Sequence, residues 1–172
     1  MLRNELFRFI AYRLEGKGWD DIPTIYGITQ KFYPQSYNRI KSLVDNGASK
    51  EMIDDAIMDA YNQIYEKSGA GKLWHPLNWV YFDFYFNAGL NAAIVLQETI
   101  NDFIGYETIT VDGVIGSKTL KALNEFKGNL AFIGFYILNR IKFYMNTNNK
   151  KYINGWINRT IKLAKYIYRE VS

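Results

Sequence analysis

Apolar residues recur at helical spacing from the first turns of the chain onward. Leu2, Leu6, Phe9, Ile10 and Leu14 fall on one stripe, and Arg3, Glu5 and Arg8 take the rest of the cylinder. That spacing predicts a helix over 1–15. Gly16 and Gly18 end it, and 16–29, with its Asp, Pro, Gly and Thr residues, reads as an irregular loop or a short hairpin. A second helix is expected from Pro34 to Val44, stopped by Asp45-Asn46-Gly47. Ser49 is the N-cap of a third, with Met52, Ile53, Ala56, Ile57, Ala60 and Ile64 along its stripe and an end near Lys67.

Between 77 and 87 the polar face disappears. Trp79, Tyr81, Phe82, Phe84, Tyr85 and Phe86 crowd one segment, and a helix apolar all round must be buried. This is the expected central helix, broken at Asn87-Ala88-Gly89. Helical periodicity resumes over Asn91–Phe103, where Ala92, Ile94, Val95, Leu96 and Ile100 point inward. Only 104–111, with two β-branched patches, hints at strand. Asp112-Gly113-Val114-Ile115-Gly116 is a tight turn, and Ser117 caps a short helix to Phe126. Two last helices, 129–146 and 155–170, are joined by an Asn- and Lys-rich stretch. The chain is therefore mainly α with at most a short β hairpin, and any division into two parts sharing one core falls near 86–90.

Composition narrows the function. At 172 residues, 48% of them hydrophobic and 17% aromatic, the chain can bury a packed core and is not of disordered type. It has no cysteine, which removes disulfides and thiolate metal sites, and its one histidine, His75, cannot build a histidine zinc site. His75 reads as a loop residue before a helix. No secretory signal is expected in Met1–Ile10, which carries Arg3, Glu5 and Arg8. The longest apolar run, Leu130–Leu138, is too short for a bilayer, so a soluble protein without membrane insertion is expected.

The net charge of +4 is unevenly spread. Residues 139–172 hold eight Lys or Arg against one acid, Glu170, while the rest holds 13 basic and 16 acidic residues. The C-terminal fifth is thus +7 and the remainder −3. Such a lobe suits a polyanion, whether nucleic acid, anionic lipid or a phosphate-bearing wall, and equally suits the solvated face of two helices.

One carboxylate stands out. Glu15 closes the first helix, where the C-terminal carbonyls repel negative charge, and two glycines follow within three residues. A surface role explains that placement, and so does a carboxyl kept for its proton. The surrounding stretches decide between them. They are Glu15-Gly16-Lys17-Gly18, Thr24-Ile25-Tyr26-Gly27-Ile28-Thr29, Phe82-Asp83-Phe84-Tyr85-Phe86-Asn87-Ala88-Gly89 with Leu96-Gln97, and Asp112-Gly113-Val114-Ile115-Gly116-Ser117-Lys118-Thr119. Arg140-Ile141-Lys142-Phe143-Tyr144 and Gly155-Trp156-Ile157-Asn158-Arg159 close the series. Each alone is weak, but in this order they resemble glycoside hydrolase family 108, the muramidases of phage endolysins and secretion-activator proteins. Those proteins carry a type 3 peptidoglycan-binding domain in their second half.

The resemblance implies a lysozyme-like helical fold, with a muramidase part over 1–86 and a peptidoglycan-binding part over 87–172. It implies that Glu15 is the general acid for cleavage of the β-1,4 bond between N-acetylmuramic acid and N-acetylglucosamine, with no metal or organic cofactor. An acid there must hold its proton near neutral pH, which a partly apolar setting beside Trp19 or Tyr26 favours. The loop after Glu15 is shorter than usual for the family, and both Asp20 and Asp21 stay open as a second, water-activating carboxylate. Inversion would place the two carboxyls about 6.5–9.5 Å apart. Loop capping explains the same Asp pair.

Thr24 could hold the water, Tyr26 and Trp19 could stack on sugar rings, and the Asn87 and Gln97 amides suit N-acetyl groups. Local packing and buried hydrogen bonds are the plain alternative for each. The expected partner is bacterial peptidoglycan, reached from the cytoplasm through a phage holin or a dedicated export route, with the protein a monomer. Competing readings are a wall-binding or phage structural module with a decayed site, a lytic transglycosylase, and nucleic-acid binding through the basic helices. No nucleic-acid reader motif supports the last.

Overall fold

The computed structural model describes residues 2–15, 23–148 and 150–171. Most of them are helical, and the strands among them form one two-stranded antiparallel hairpin, so the mainly α class with a short hairpin expected from the pattern is the class observed. By packing, the chain forms two compact units, Met1–Lys67 and Ser68–Ser172.

The first unit opens with α1 (Leu2–Phe9), which passes into a π-helical segment over Ile10–Glu15. Leu6, Phe7, Ile10 and Ala11 are its buried residues, whereas Phe9 and Leu14 are only half-buried. The expected stripe is displaced for a geometric reason. Hydrogen bonding from i to i+5 adds a residue to each turn, so apolar positions set at α spacing lose phase beyond Ile10. Phe7 packs against two tyrosines of α3 (Lys50–Ser68), with ring centroids 5.5 Å from Tyr61 and 5.7 Å from Tyr65.

Strands β1 (Thr24–Ile25) and β2 (Ile28–Thr29) pair Thr24 with Thr29 and Ile25 with Ile28. The two residues between them, Tyr26 and Gly27, both have positive φ, at 48° and 77°. That is the conformation a tight two-residue hairpin requires, because its twist matches that of the strands. Ile25 and Ile28 are buried. Helix α2 (Pro34–Asp45) starts on a proline that needs no hydrogen-bond partner there and packs on the hairpin. Ser49 Oγ accepts from the N–H of Met52, as its capping position predicts. Ala56, Ile57, Ala60 and Ile64 line the buried face of α3, while Met52 is exposed.

In the second unit, α4 (Leu77–Ala88) is the apolar helix its sequence predicts, with Leu77 and every residue from Trp79 to Phe84 buried. His75 sits in the preceding loop, its ring centroid 4.6 Å from that of Trp79. Helix α5 (Asn91–Ile104) packs on α4 and on α7 (Leu130–Met145), and α7 packs on α8 (Ile153–Val171). Asn129 caps α7, its side chain accepting from the N–H groups of Ala131 and Phe132. The short α6 (Ser117–Asn124) is entered from Gly116, so Ser117 is its first residue and not its cap.

The segment after α5 corrects the one strand expectation, since 105–111 is irregular. Its backbone is satisfied by one side chain: Asn101 Oδ1 accepts from the N–H groups of Thr108 (2.9 Å) and Ile109 (3.1 Å), and Nδ2 donates to the Ile109 carbonyl (2.9 Å). β-branched residues can fill a buried position without a strand partner once an amide supplies the missing hydrogen bonds. The packing boundary at 67/68 leaves α4 with the second unit, whereas the resemblance sets a functional division at 86/87. Among the described residues no helix is long and apolar enough to cross a membrane.

Candidate functional site

In the first unit, Glu15 is the last residue of the π-helical segment and is half-buried. Wide helical turns of this kind are uncommon and occur frequently at functional sites. Thr24 is half-buried on β1. Trp19, Asp20 and Asp21 lie outside the described residues.

Tyr26 is held in the left-handed region, an uncommon place for a non-glycine residue. Two neighbours fix it there. The Tyr61 hydroxyl donates to the Tyr26 carbonyl at 2.9 Å, and the Tyr12 ring meets the Tyr26 ring edge-to-face at 5.3 Å between centroids. Tyr26 is only 5% exposed. An open stacking face is therefore not what Tyr26 offers; its surroundings use it as a support. The exposed ring of the group is that of Tyr12, at 36%. Its hydroxyl donates to Asp54 on α3, and burial together with that carboxylate pushes the phenol well above its usual range.

The second unit contains a charged core: core packing is what the sequence suggests for Asp83, but its two arginine partners are not foreseen there. Asp83, in the middle of α4, is fully buried and holds two guanidinium groups. Arg140 Nη2 of α7 donates to its Oδ2 at 2.6 Å, and Arg159 Nη2 of α8 donates to its Oδ1 at 2.6 Å, with Arg159 Nε at 3.1 Å. Burial by itself would raise the carboxyl; Arg159 and Arg140 together hold it below the ordinary carboxylate value instead. The rest of the Arg140 guanidinium is covered by aromatic rings, 5.0 Å from the Phe84 centroid and 5.5 Å from that of Tyr144. A signal was present in the sequence. Asp83 is the lone charge in an otherwise apolar run, and an arginine in the apolar stretch 130–145 calls for a partner.

Gln97 and Asn87 also have defined surroundings. Gln97 is 1% exposed, and its amide is spent on the turn after α5. Its Oε1 accepts from the N–H groups of Asp112 (3.0 Å) and Gly113 (2.7 Å); its Nε2 donates to Asp112 Oδ1 (2.7 Å) and the Val114 carbonyl (3.1 Å), with Thr119 Oγ1 at 3.3 Å. Hydrogen bonds from Gln97 and from the Val114 N–H hold the Asp112 carboxyl below its usual value. Gly113 has φ 75°, a left-handed conformation for which the turn asks for glycine. Asn87 is exposed at the end of α4, and its Nδ2 donates to the Asp83 carbonyl at 2.7 Å. The structure thus brings Tyr12, Tyr26 and Asp54 together in the first unit. In the second it ties Gln97 to Asp112 and Asp83 to two arginines.

Residues 91–161 match the model of a family described as a predicted peptidoglycan domain. The matched segment runs from the start of α5 into α8 and contains Gln97, Asp112, Arg140 and Arg159, but not Asp83. No curated protein matches the sequence. The solved structure of SagA from Brucella abortus is similar, with a TM-score of 0.66 at 20% identity over 97% of this chain and 91% of that one. At that identity the likeness is one of fold. Fold and family match together define the class: this is a mainly α, peptidoglycan-related protein.

Proposed function

We propose that the protein is an N-acetylmuramidase that cuts the glycan strand of peptidoglycan, with Glu15 as general acid. The observation that carries this reading is the peptidoglycan-domain match over 91–161 in a chain that also bears the Glu15 segment and the Thr24–Thr29 hairpin in the motif order set out above. Cleavage needs a proton delivered to the leaving oxygen and a partner for the oxocarbenium-like centre. Glu15 supplies the first from its half-buried place at the end of the helical segment. Asp20 or Asp21 activates the water, with Thr24 as a neutral helper on the hairpin. The protein acts on the wall after export from the cytoplasm, works as a monomer, and needs no cofactor.

The test is sugar release from purified peptidoglycan, read by mass spectrometry, for the intact protein and for Glu15→Gln. Reducing muropeptides from the intact protein, with a loss of about 10²–10⁴-fold in the variant, are expected for a general acid. Anhydro products would replace the hydrolase with a transglycosylase. No release from either protein, with both pelleting with sacculi, would leave a wall-binding module.

A further inference from the structure

We infer that Tyr12 is the floor of a saccharide subsite on the segment that ends in Glu15, a step that rests on the muramidase reading. Tyr12 lies three residues before Glu15 on the same π-helical segment and is 36% exposed. A partly exposed tyrosine on a helix ordinarily keeps rotamer freedom, and a ligand that lands on it must bear the cost of freezing it. Here that freedom is removed in advance. The hydroxyl is tied to Asp54 on α3, and the ring is braced by Tyr26 at an interplanar angle of 72°. Tyr26 is itself fixed by its left-handed turn and by the Tyr61 hydroxyl. Three residues, two from α3 and one from the hairpin, hold one ring in place.

The chemistry left for a ligand is that of a π face. An edge-to-face pair engages at most one face of either ring, so among the described residues the contact with Tyr26 leaves Tyr12 at least one. The phenol hydroxyl donates to Asp54 and stays protonated, which removes it as a base or nucleophile. A rigid aromatic face with its polar end already engaged fits the apolar face of a pyranose ring, whose axial C–H groups it can cover. Asp54 and Tyr26 are positioning residues that act through Tyr12. The ligand class is the β-1,4-linked N-acetylated aminosugar strand that the proposed acid would cut.

The probe is the β-1,4 tetramer of N-acetylglucosamine, titrated against Glu15→Gln protein by calorimetry, alongside KM and kcat on solubilised glycan strands for Glu15-intact variants. Tyr12→Ala is expected to weaken tetramer binding and raise KM by about tenfold with kcat little changed. Tyr12→Phe keeps the ring and loses the tie to Asp54, so it raises KM by about twofold to threefold and leaves kcat alone. The Phe variant also assigns the Tyr12 ring resonances in the wild-type spectrum, and these must move saturably with added tetramer. An alanine variant that binds the tetramer as tightly as its parent overturns the subsite, as do Tyr12 resonances that stay still. Glu15-dependent release with an unchanged KM in Tyr12→Ala sinks the subsite and leaves the muramidase standing. Tyr12-dependent tetramer binding without any release does the reverse.

Discussion

A carboxylate in the centre of an apolar helix is costly unless something compensates it, and Asp83 is compensated twice. Arg140 and Arg159 reach it from two other helices, each with a 2.6 Å hydrogen bond, and the three groups together leave one positive charge that the Phe84 and Tyr144 rings help to cover. Removing the carboxylate would strand two guanidinium groups. Asp83→Asn is therefore expected to cost about 3–5 kcal/mol, read by urea unfolding. The pH dependence follows in sign. The Asp83 carboxyl is held below its ordinary value in the fold, so the unfolded chain binds its proton first as pH falls. The stability is fully present above about pH 4 and is lost as pH drops through the folded value. Thermal unfolding between pH 5 and 2 should show this acid limb in the wild type and a shallower one in Asp83→Asn. A limb unchanged by the substitution would mean that other carboxylates set acid stability.

At the level of the element, two amide side chains do what additional secondary structure would otherwise do. Asn101 satisfies the backbone of 108–109, and Gln97 closes the Asp112–Gly116 turn against the start of α6. Turn chemistry is local, so that turn is legible from Asp112, Gly113 and Gly116 alone. The use of Gln97 is not, because its partners lie 15 to 22 residues away. Gln97→Ala leaves the part-buried N–H groups of Asp112 and Gly113 without their partner, and a loss of about 1–3 kcal/mol in unfolding free energy is expected. If the variant instead kept its stability and no longer pelleted with sacculi, Gln97 would be a ligand contact. The π-helical end of the first helix belongs to the same scale. Periodicity predicts a helix through residue 15, but the change of pitch decides which faces Tyr12 and Glu15 present.

Over the whole molecule, charge and packing answer different questions. Of the eight basic residues after position 138, Arg140 and Arg159 are buried on Asp83, so they cannot meet a polyanion. The expected lobe is smaller than its count: Lys142, Lys150, Lys151, Lys162, Lys165 and Arg169 are the ones exposed. Binding to sacculi through these groups should fall as salt rises from 50 to 500 mM, measured by pelleting, roughly as screening lengths shorten from about 14 to 4 Å. The family match begins at residue 91, but the second unit begins at Ser68 and draws Asp83 from α4. A fragment over 91–172 is thus expected to be unfolded by circular dichroism, whereas 68–172 holds all three charged partners. A cooperatively folded 91–172 fragment would show that the triad is dispensable.

Helices, caps and turns follow from neighbours along the chain, which is why the stripes of α3 and α5, the extent of α7 and the apolar run of α4 could be read directly. The hairpin is legible only as one of two alternatives for 16–29, an irregular loop or a short hairpin. Nothing local says that Arg140 and Arg159 turn inward, since their partner is 57 and 76 residues away and a lysine-rich neighbourhood suggests solvent. Nor does local pattern say that Tyr26 is buried while Tyr12 faces water. Both outcomes belong to three-dimensional packing: burial is a property of what other segments cover, and a charge can leave water only where distant segments deliver its partners to the same point.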